Sequence, residues 1–189
     1  MGLIITGGEF RGRRLATDSG SGLIRPTSGK VREAIFSSLA EEVPGARFLD
    51  LFAGSGAVGL EAFSRGAVEV QLVENHPKSY ALLKANCASL GEAAGLRPIR
   101  AAAAAFCRAR AEAGESFDLV FADPPFADDF SELPAMLASV LAPRGTAIVQ
   151  YPARQRPSWA DAAYRDRAYG ESGLAFFHAT GSGGARSIF

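Results

Sequence analysis

Asp50-Leu51-Phe52-Ala53-Gly54-Ser55-Gly56-Ala57-Val58-Gly59 decides the fold. Residues 46–52 read as a buried strand, and residues 57–65 as a helix that Gly66 stops. Between them, Gly54-x-Gly56-x-x-Gly59 has the spacing and the strand–turn–helix context of an adenosine-cofactor loop. Glycines let the main chain turn tightly and come close to a ligand, and the helix start offers free N–H donors. Glu74 ends a second expected strand, residues 68–74, where a carboxylate can accept both hydroxyls of a ribose. Asp50 separates the cofactors. An acid there is unfavourable beside a pyrophosphate and favourable beside the ammonium and positive sulfur of S-adenosylmethionine.

Working outward, strands alternate with helices. Thr27 or Ser28 caps a helix to about residue 40, with Val31, Ile35 and Leu39 on its apolar face. Pro77 opens the next helix, which carries Tyr80, Leu83 and Cys87 along one side. Residues 96–101 read as a third strand, interrupted by Pro98, and an alanine-rich helix runs on to about residue 113. Residues 117–122 form a fourth strand. Leu133, Met136, Leu137 and Val140 mark an amphipathic helix that Pro143 and Gly145 end, and residues 146–151 a fifth strand. Residues 164–169 and 174–179 suggest a hairpin around Gly170 and Gly173. The expected fold is α/β: a doubly wound, mostly parallel, seven-stranded Rossmann-like sheet with an antiparallel C-terminal hairpin and a basic N-terminal arm.

Asp123-Pro124-Pro125-Phe126 follows the fourth strand at the carboxyl edge, where open α/β sheets bind ligands. Two prolines stiffen the turn and hold back helix formation. The turn presents a carboxylate, a carbonyl and an aromatic ring, which suit a planar substrate with an exocyclic amine. The two amine hydrogens can bond Asp123 and the Pro124 carbonyl while Phe126 stacks on the ring. Catalysis then comes from orientation and polarisation.

The chain has 189 residues, 48% of them apolar, which suits one soluble domain with a sizeable core. Two cysteines, Cys87 and Cys107, exclude a disulfide framework or a cysteine-ligated zinc and read as buried small residues. No metal site is expected. His76 reads as a helix-start residue, and Trp159, Arg154 and Arg156 as surface or RNA contacts. No apolar run is long enough to span a membrane, and residues 3–6 read as a short strand. The formal charge is zero, but it is unevenly spread. Residues 1–32 carry six basic and two acidic groups, a net of +4. Residues 33–150 carry a net of −6 and residues 151–189 a net of +2. A glycine-rich basic arm joined to an acidic body hints at nucleic-acid contact.

These motifs resemble the bacterial RsmD-type small-subunit ribosomal RNA guanine-N2 methyltransferases of the class I S-adenosylmethionine-dependent superfamily. The resemblance also rests on Ile5-Thr6-Gly7-Gly8-x-x-Arg11-Gly12-Arg13, Arg25-Pro26-Thr27 and Val31-Arg32-Glu33-Ala34-Ile35-Phe36. It implies methyl transfer from S-adenosyl-L-methionine, with S-adenosylhomocysteine as product, to a guanine N2 in 16S rRNA. The cofactor would lie against Thr27, Asp50, Phe52, Gly54, Ser55, Gly56, Glu74, Asn75, Ala102, Ala103 and Asp123. Asp123, Pro124, Pro125 and Phe126 would hold the flipped base. Arg11, Arg13, Arg14, Arg25 and Arg32 would meet RNA, with residues 1–26 as the RNA arm and 27–189 as the methyltransferase domain. One departure stands out. Many proteins of this fold place Asp or Asn after strand three to bond adenine, whereas here Arg100 precedes five alanines, so backbone near Ala102 or Ala103 must serve. The expected partner is 16S rRNA in the small subunit or an assembly intermediate, met by a monomer in the cytoplasm and away from membranes.

Three other readings compete. The glycine spacing alone permits an NAD-dependent oxidoreductase, against which Asp50 stands. The Asp-Pro-Pro-Phe turn also serves amino-methyltransferases acting on DNA adenine or protein glutamine. A non-enzymatic RNA-binding assembly factor could keep the fold without the activity.

Overall fold

A computed structural model describes residues 3–17, 27–91, 94–125 and 132–179. Seven strands form one sheet: β1 (Arg47–Leu51), β2 (Glu69–Glu74), β3 (Leu96–Arg100), β4 (Phe117–Ala122), β5 (Leu141–Pro152), β6 (Arg165–Tyr169) and β7 (Ser172–His178). Their order is β3-β2-β1-β4-β5-β7-β6. The β1–β2, β2–β3, β1–β4 and β4–β5 pairs are parallel, and β7 pairs antiparallel with both β5 and β6. The sheet is therefore the mostly parallel, seven-stranded one expected, with its antiparallel C-terminal pair. Among the described residues no helix is long and apolar enough to cross a membrane.

The two-residue period of the strands divides the core. Phe48, Val70, Leu72, Leu119 and Ile148 face one layer, with α1 (Gly29–Ser38), α2 (Ala57–Ser64) and α3 (Pro77–Ser89). Leu49, Leu51, Val73, Val120 and Val149 face the other, with α4 (Ala103–Glu112) and α5 (Leu133–Val140). Ser28 caps α1, its hydroxyl accepting from the Val31 N–H at 3.3 Å.

The structure changes three local expectations. The strand after α5 begins at Leu141 rather than 146, so Pro143 and Gly145 lie inside β5 and do not form a connecting turn. A short 3-10 helix, Ser158–Ala162, follows Pro157. It sets Trp159 edge-on to Tyr151 and Phe177, with ring centroids 6.0 and 6.1 Å away, so Trp159 packs on the domain. Arg156 is engaged by Asp161 and Asp166.

The third change concerns the N-terminus. Residues 3–17 fold as a small antiparallel loop, closed by Ile5 N–H to the Arg13 carbonyl at 3.0 Å and Leu15 N–H to the Leu3 carbonyl at 2.9 Å. Ile5 and Leu15 are buried in the same core layer as α1 and α2. Gly8 sits at φ 79°, and a Cβ there would lie 1.8 Å from the Ser64 carbonyl oxygen. The Glu9 N–H donates to that oxygen at 2.7 Å. The described part of the arm is thus built onto the domain and not a loose tether.

Candidate functional site

The chain leaves β1 toward β2 on one side, while β4 flanks β1 on the other. The strand order reverses there, and the carboxyl ends of the strands open a crevice. A cleft of about 1740 Å³ occupies it. Ordinary small-molecule pockets are roughly 300–1,000 Å³, so this cleft has room for two ligands side by side.

Asp50 is the penultimate residue of β1, paired in register with Phe121 of β4. It is only 1% exposed, yet it lines the cleft. Its Oδ2 accepts the Gly59 N–H at 2.8 Å, while Oδ1 is buried without a hydrogen-bond partner. Burial pushes the carboxyl up to about 8, against the Gly59 hydrogen bond, and the nearby Asp123 and Glu74 charges add to the rise. A buried acceptor with one vacant oxygen beside two other acids is a site that a cation would relieve.

The loop between β1 and α2 is shaped for close approach. Phe52 takes φ 64°, a rare conformation for a residue with a side chain and one that marks functional turns. Gly56 takes φ 82°, and a Cβ there would meet Leu83 Cδ1 at 2.5 Å. Glu74 braces the loop: Oε2 accepts the Gly54 N–H at 2.9 Å and Oε1 the His76 N–H at 2.7 Å. Each carboxylate oxygen retains a lone pair for a further donor. Asn86 of α3 holds the loop from behind, donating to the Ser55 carbonyl at 2.8 Å and to the Ala16 carbonyl at 3.0 Å. Ala102 N-caps α4 without a side-chain bond, so the first N–H groups of α4 are available at the cleft wall.

Asp123 follows β4 directly. Gln150 of β5 donates through Nε2 to Asp123 Oδ2 at 3.1 Å. Burial pushes the Asp123 carboxyl up to about 7. Pro124 is buried and Pro125 exposed, both on the cleft. Burial also pushes the Cys87 and Cys107 thiols up to about 12, so neither is an activated nucleophile.

Residues 3–178 match the family model described as conserved hypothetical protein 95. The chain belongs to that family. Among its relatives, Ribosomal RNA small subunit methyltransferase D of Escherichia coli strain K12 is 44% identical over 123 residues, which are 65% of this chain and 59% of that protein. The chain thus spans less than two thirds of that relative's length. The protein of the same name from Haemophilus influenzae is 34% identical over 68% of this chain and 66% of its own. A solved structure of a hypothetical protein of Thermus thermophilus superposes with a TM-score of 0.80 at 36% identity, covering 92% of this chain and 98% of that one.

In this member of the family, the cleft is lined by Thr27, Asp50, Phe52, Gly54, Ser55, Glu74, Asn75, Ala102, Ala103, Asp123, Pro124 and Pro125. These are expected site residues, gathered from five separate stretches of chain. Gly56 shapes the turn without facing the cleft. Phe126 and Arg25 lie outside the described residues. Arg11, Arg13 and Arg14 are exposed on the N-terminal loop, away from the cleft lining.

Arg32 requires a correction. It is 1% exposed, and its guanidinium donates to Glu61 Oε2 at 2.9 Å and to the Thr27 and Ile4 carbonyls at 2.6 Å each. It ties α1 to α2 and to the N-terminal loop, and cannot meet a phosphate. Two polar residues escaped sequence reasoning: Gln150, which touches Asp123, and Asn86. Gln150 left one legible sign, an uncharged polar side chain at the end of the apolar run Ala147-Ile148-Val149.

Proposed function

We propose that this protein transfers a methyl group from S-adenosyl-L-methionine to the exocyclic N2 amine of a guanine in small-subunit (16S) ribosomal RNA, acting in the cytoplasm as a monomer on the subunit or an assembly intermediate. The observation that carries this reading is the pair of raised acids, Asp50 and Asp123, at adjoining strand ends of one two-ligand cleft. The names of the relatives point the same way.

The residues present fit the cofactor. The vacant Asp50 Oδ1 suits its positive end, Glu74 suits its ribose hydroxyls, and the N–H groups at the start of α4 suit its adenine. When bound, S-adenosyl-L-methionine supplies an electrophilic methyl group on positive sulfur and departs as S-adenosylhomocysteine.

The protein's own contribution is orientation. The Asp123 carboxylate and the Pro124 carbonyl accept the two amine hydrogens, which turns the nitrogen lone pair toward the methyl donor. An amine that gained the methyl group would carry a surplus proton. Asp123, ionising near pH 7, is suited to take that proton. Exposed Arg11, Arg13 and Arg14, together with Arg25, supply phosphate contacts from residues 1–26.

The test is calorimetric titration followed by labelled methyl transfer to undermethylated small subunits. S-adenosylmethionine should bind and NAD should not, with Asp50→Asn weakening binding. Asp123→Ala should cut transfer by about 100-fold or more, the scale of losing one positioned hydrogen bond in a reacting site. NAD binding without S-adenosylmethionine binding, or unchanged transfer by Asp123→Ala, would contradict the reading.

A further inference from the structure

We propose that Gln150 is the residue that makes the base site select guanine, by accepting the ring N–H that lies beside the target amine. This inference rests on the methyltransferase reading above. Gln150 ends an otherwise apolar stretch of β5 and lines the cleft next to Asp123. Its Nε2 donates to Asp123 Oδ2 at 3.1 Å. An ionised carboxylate only accepts, so the NH₂ group must face Asp123 and the amide oxygen must turn the other way. That oxygen, Oε1, is buried and has no hydrogen-bond partner among the described residues. Buried polar atoms are rarely left unpaired, and an orphan beside a reacting group points to a donor brought by the ligand.

The chemistry of the purines decides which donor fits. Guanine carries its N2 amine next to a ring N–H at N1, two donors side by side on one edge. Adenine carries its N6 amine next to a bare N1, a donor beside an acceptor. Asp123 and Gln150 form the complementary pair, a carboxylate oxygen and an amide oxygen on adjoining strand ends. Guanine satisfies both acceptors. Adenine places its N1 lone pair against Gln150 Oε1, two acceptors with no hydrogen between them. Gln150 thereby does two things: it fixes one Asp123 oxygen and it reads the neighbouring ring atom.

The test compares two 16S rRNA substrates assembled by ligation, one with guanine and one with 2-aminopurine at the target position. 2-Aminopurine keeps the amine and lacks the N1 hydrogen. The native protein should favour guanine in kcat/KM by about 10-fold or more, because the analogue leaves a buried acceptor unpaired. Gln150→Leu, and Gln150→Met as a second variant of similar length, should bring the ratio to within about threefold. Thermal melting identifies the variant that keeps its fold. Equal use of both substrates by the native protein would overturn the proposal while leaving methyl transfer to guanine intact. A ratio unchanged in the folded variants would overturn it too, by tracing discrimination to another group. Failure of the native protein to methylate either RNA would remove the methyltransferase reading itself, and this inference with it.

Discussion

Arg32 and Glu61 form an ion pair of 2.9 Å with side chains 2% and 0% exposed, at the junction of α1, α2 and the N-terminal loop. Thr6 and Arg65 also donate to Glu61, and the Arg65 guanidinium lies over the Phe36 ring. Burial alone would raise the Glu61 carboxyl, but the hydrogen bonds from Thr6, Arg32 and Arg65 outweigh it and hold the carboxyl below its ordinary value. The pair thus locks the N-terminal loop to the domain that carries the cleft.

Removing one partner of a buried pair strands the other. Arg32→Met should therefore cost about 3–5 kcal/mol in urea unfolding. Its RNA affinity, measured at a temperature where the variant is folded, should match that of the native protein. A stable Arg32→Met protein with weakened RNA binding would return Arg32 to the phosphate-contacting role.

Stability should depend on pH in two separate windows. Asp50 and Asp123 are raised from an ordinary value of 3.8 to about 8 and about 7, so the folded protein holds more protons than the unfolded chain between those values. Stability should fall as pH rises through that window, with a slope approaching about 1.4 kcal/mol per pH unit for each such group. Glu61 behaves oppositely. Its stabilisation is complete above its ordinary value of 4.5 and is lost as pH falls through its lower folded value. Urea unfolding from pH 4 to 8 should show the first slope, and Asp50→Asn should flatten it. A slope that Asp50→Asn leaves unchanged would mean that Asp50 is ionised in the folded protein.

The methyl-transfer rate should carry the signature of Asp123. The carboxylate must be ionised to accept both an amine hydrogen and the Gln150 bond. With saturating cofactor, kcat should therefore rise with pH through about 7 and then level. A profile flat from pH 5.5 to 8.5 would exclude Asp123 as the titrating group.

The site acids were legible because their signals are local. Asp50, Gly54, Gly56 and Glu74 announce themselves through spacing around one strand–turn–helix unit, and Asp123 through the two prolines that follow it. The sheet was legible for a similar reason: buried apolar runs alternate with helical periodicity. What escaped depends on partners far along the chain. Arg32 meets Glu61 across 29 residues, Asn86 meets Ser55 across 31, and Gln150 meets Asp123 across 27. Arg32 was masked by its neighbours, since it stands in a basic stretch. Its position four residues before the buried Phe36 was the contrary sign. The docking of the N-terminal loop also depends on a distant partner: Gly8 is there because the backbone of Ser64 leaves no room for a side chain.

RNA affinity should depend on salt through the arginines of residues 1–26. Substituting Arg11, Arg13 and Arg14 by Gln should reduce the slope of log K against log salt by roughly 0.7–0.9 for each phosphate contact removed. S-adenosylmethionine affinity should not change. Deleting residues 1–25 is a poorer experiment, because it removes buried Ile5 and Leu15 and leaves Asn86 without Ala16. That deletion should lower the melting temperature as well as RNA binding. An unaltered salt slope in the triple variant would place the phosphate contacts elsewhere.

The most direct measurement is nucleotide mapping by mass spectrometry of small-subunit RNA treated with this protein and S-adenosylmethionine. One guanosine should become N2-methylguanosine with the native protein and remain unmodified with Asp123→Ala. Methylated adenine in DNA, methylated glutamine in protein, or RNA with no methylated guanosine would contradict the account.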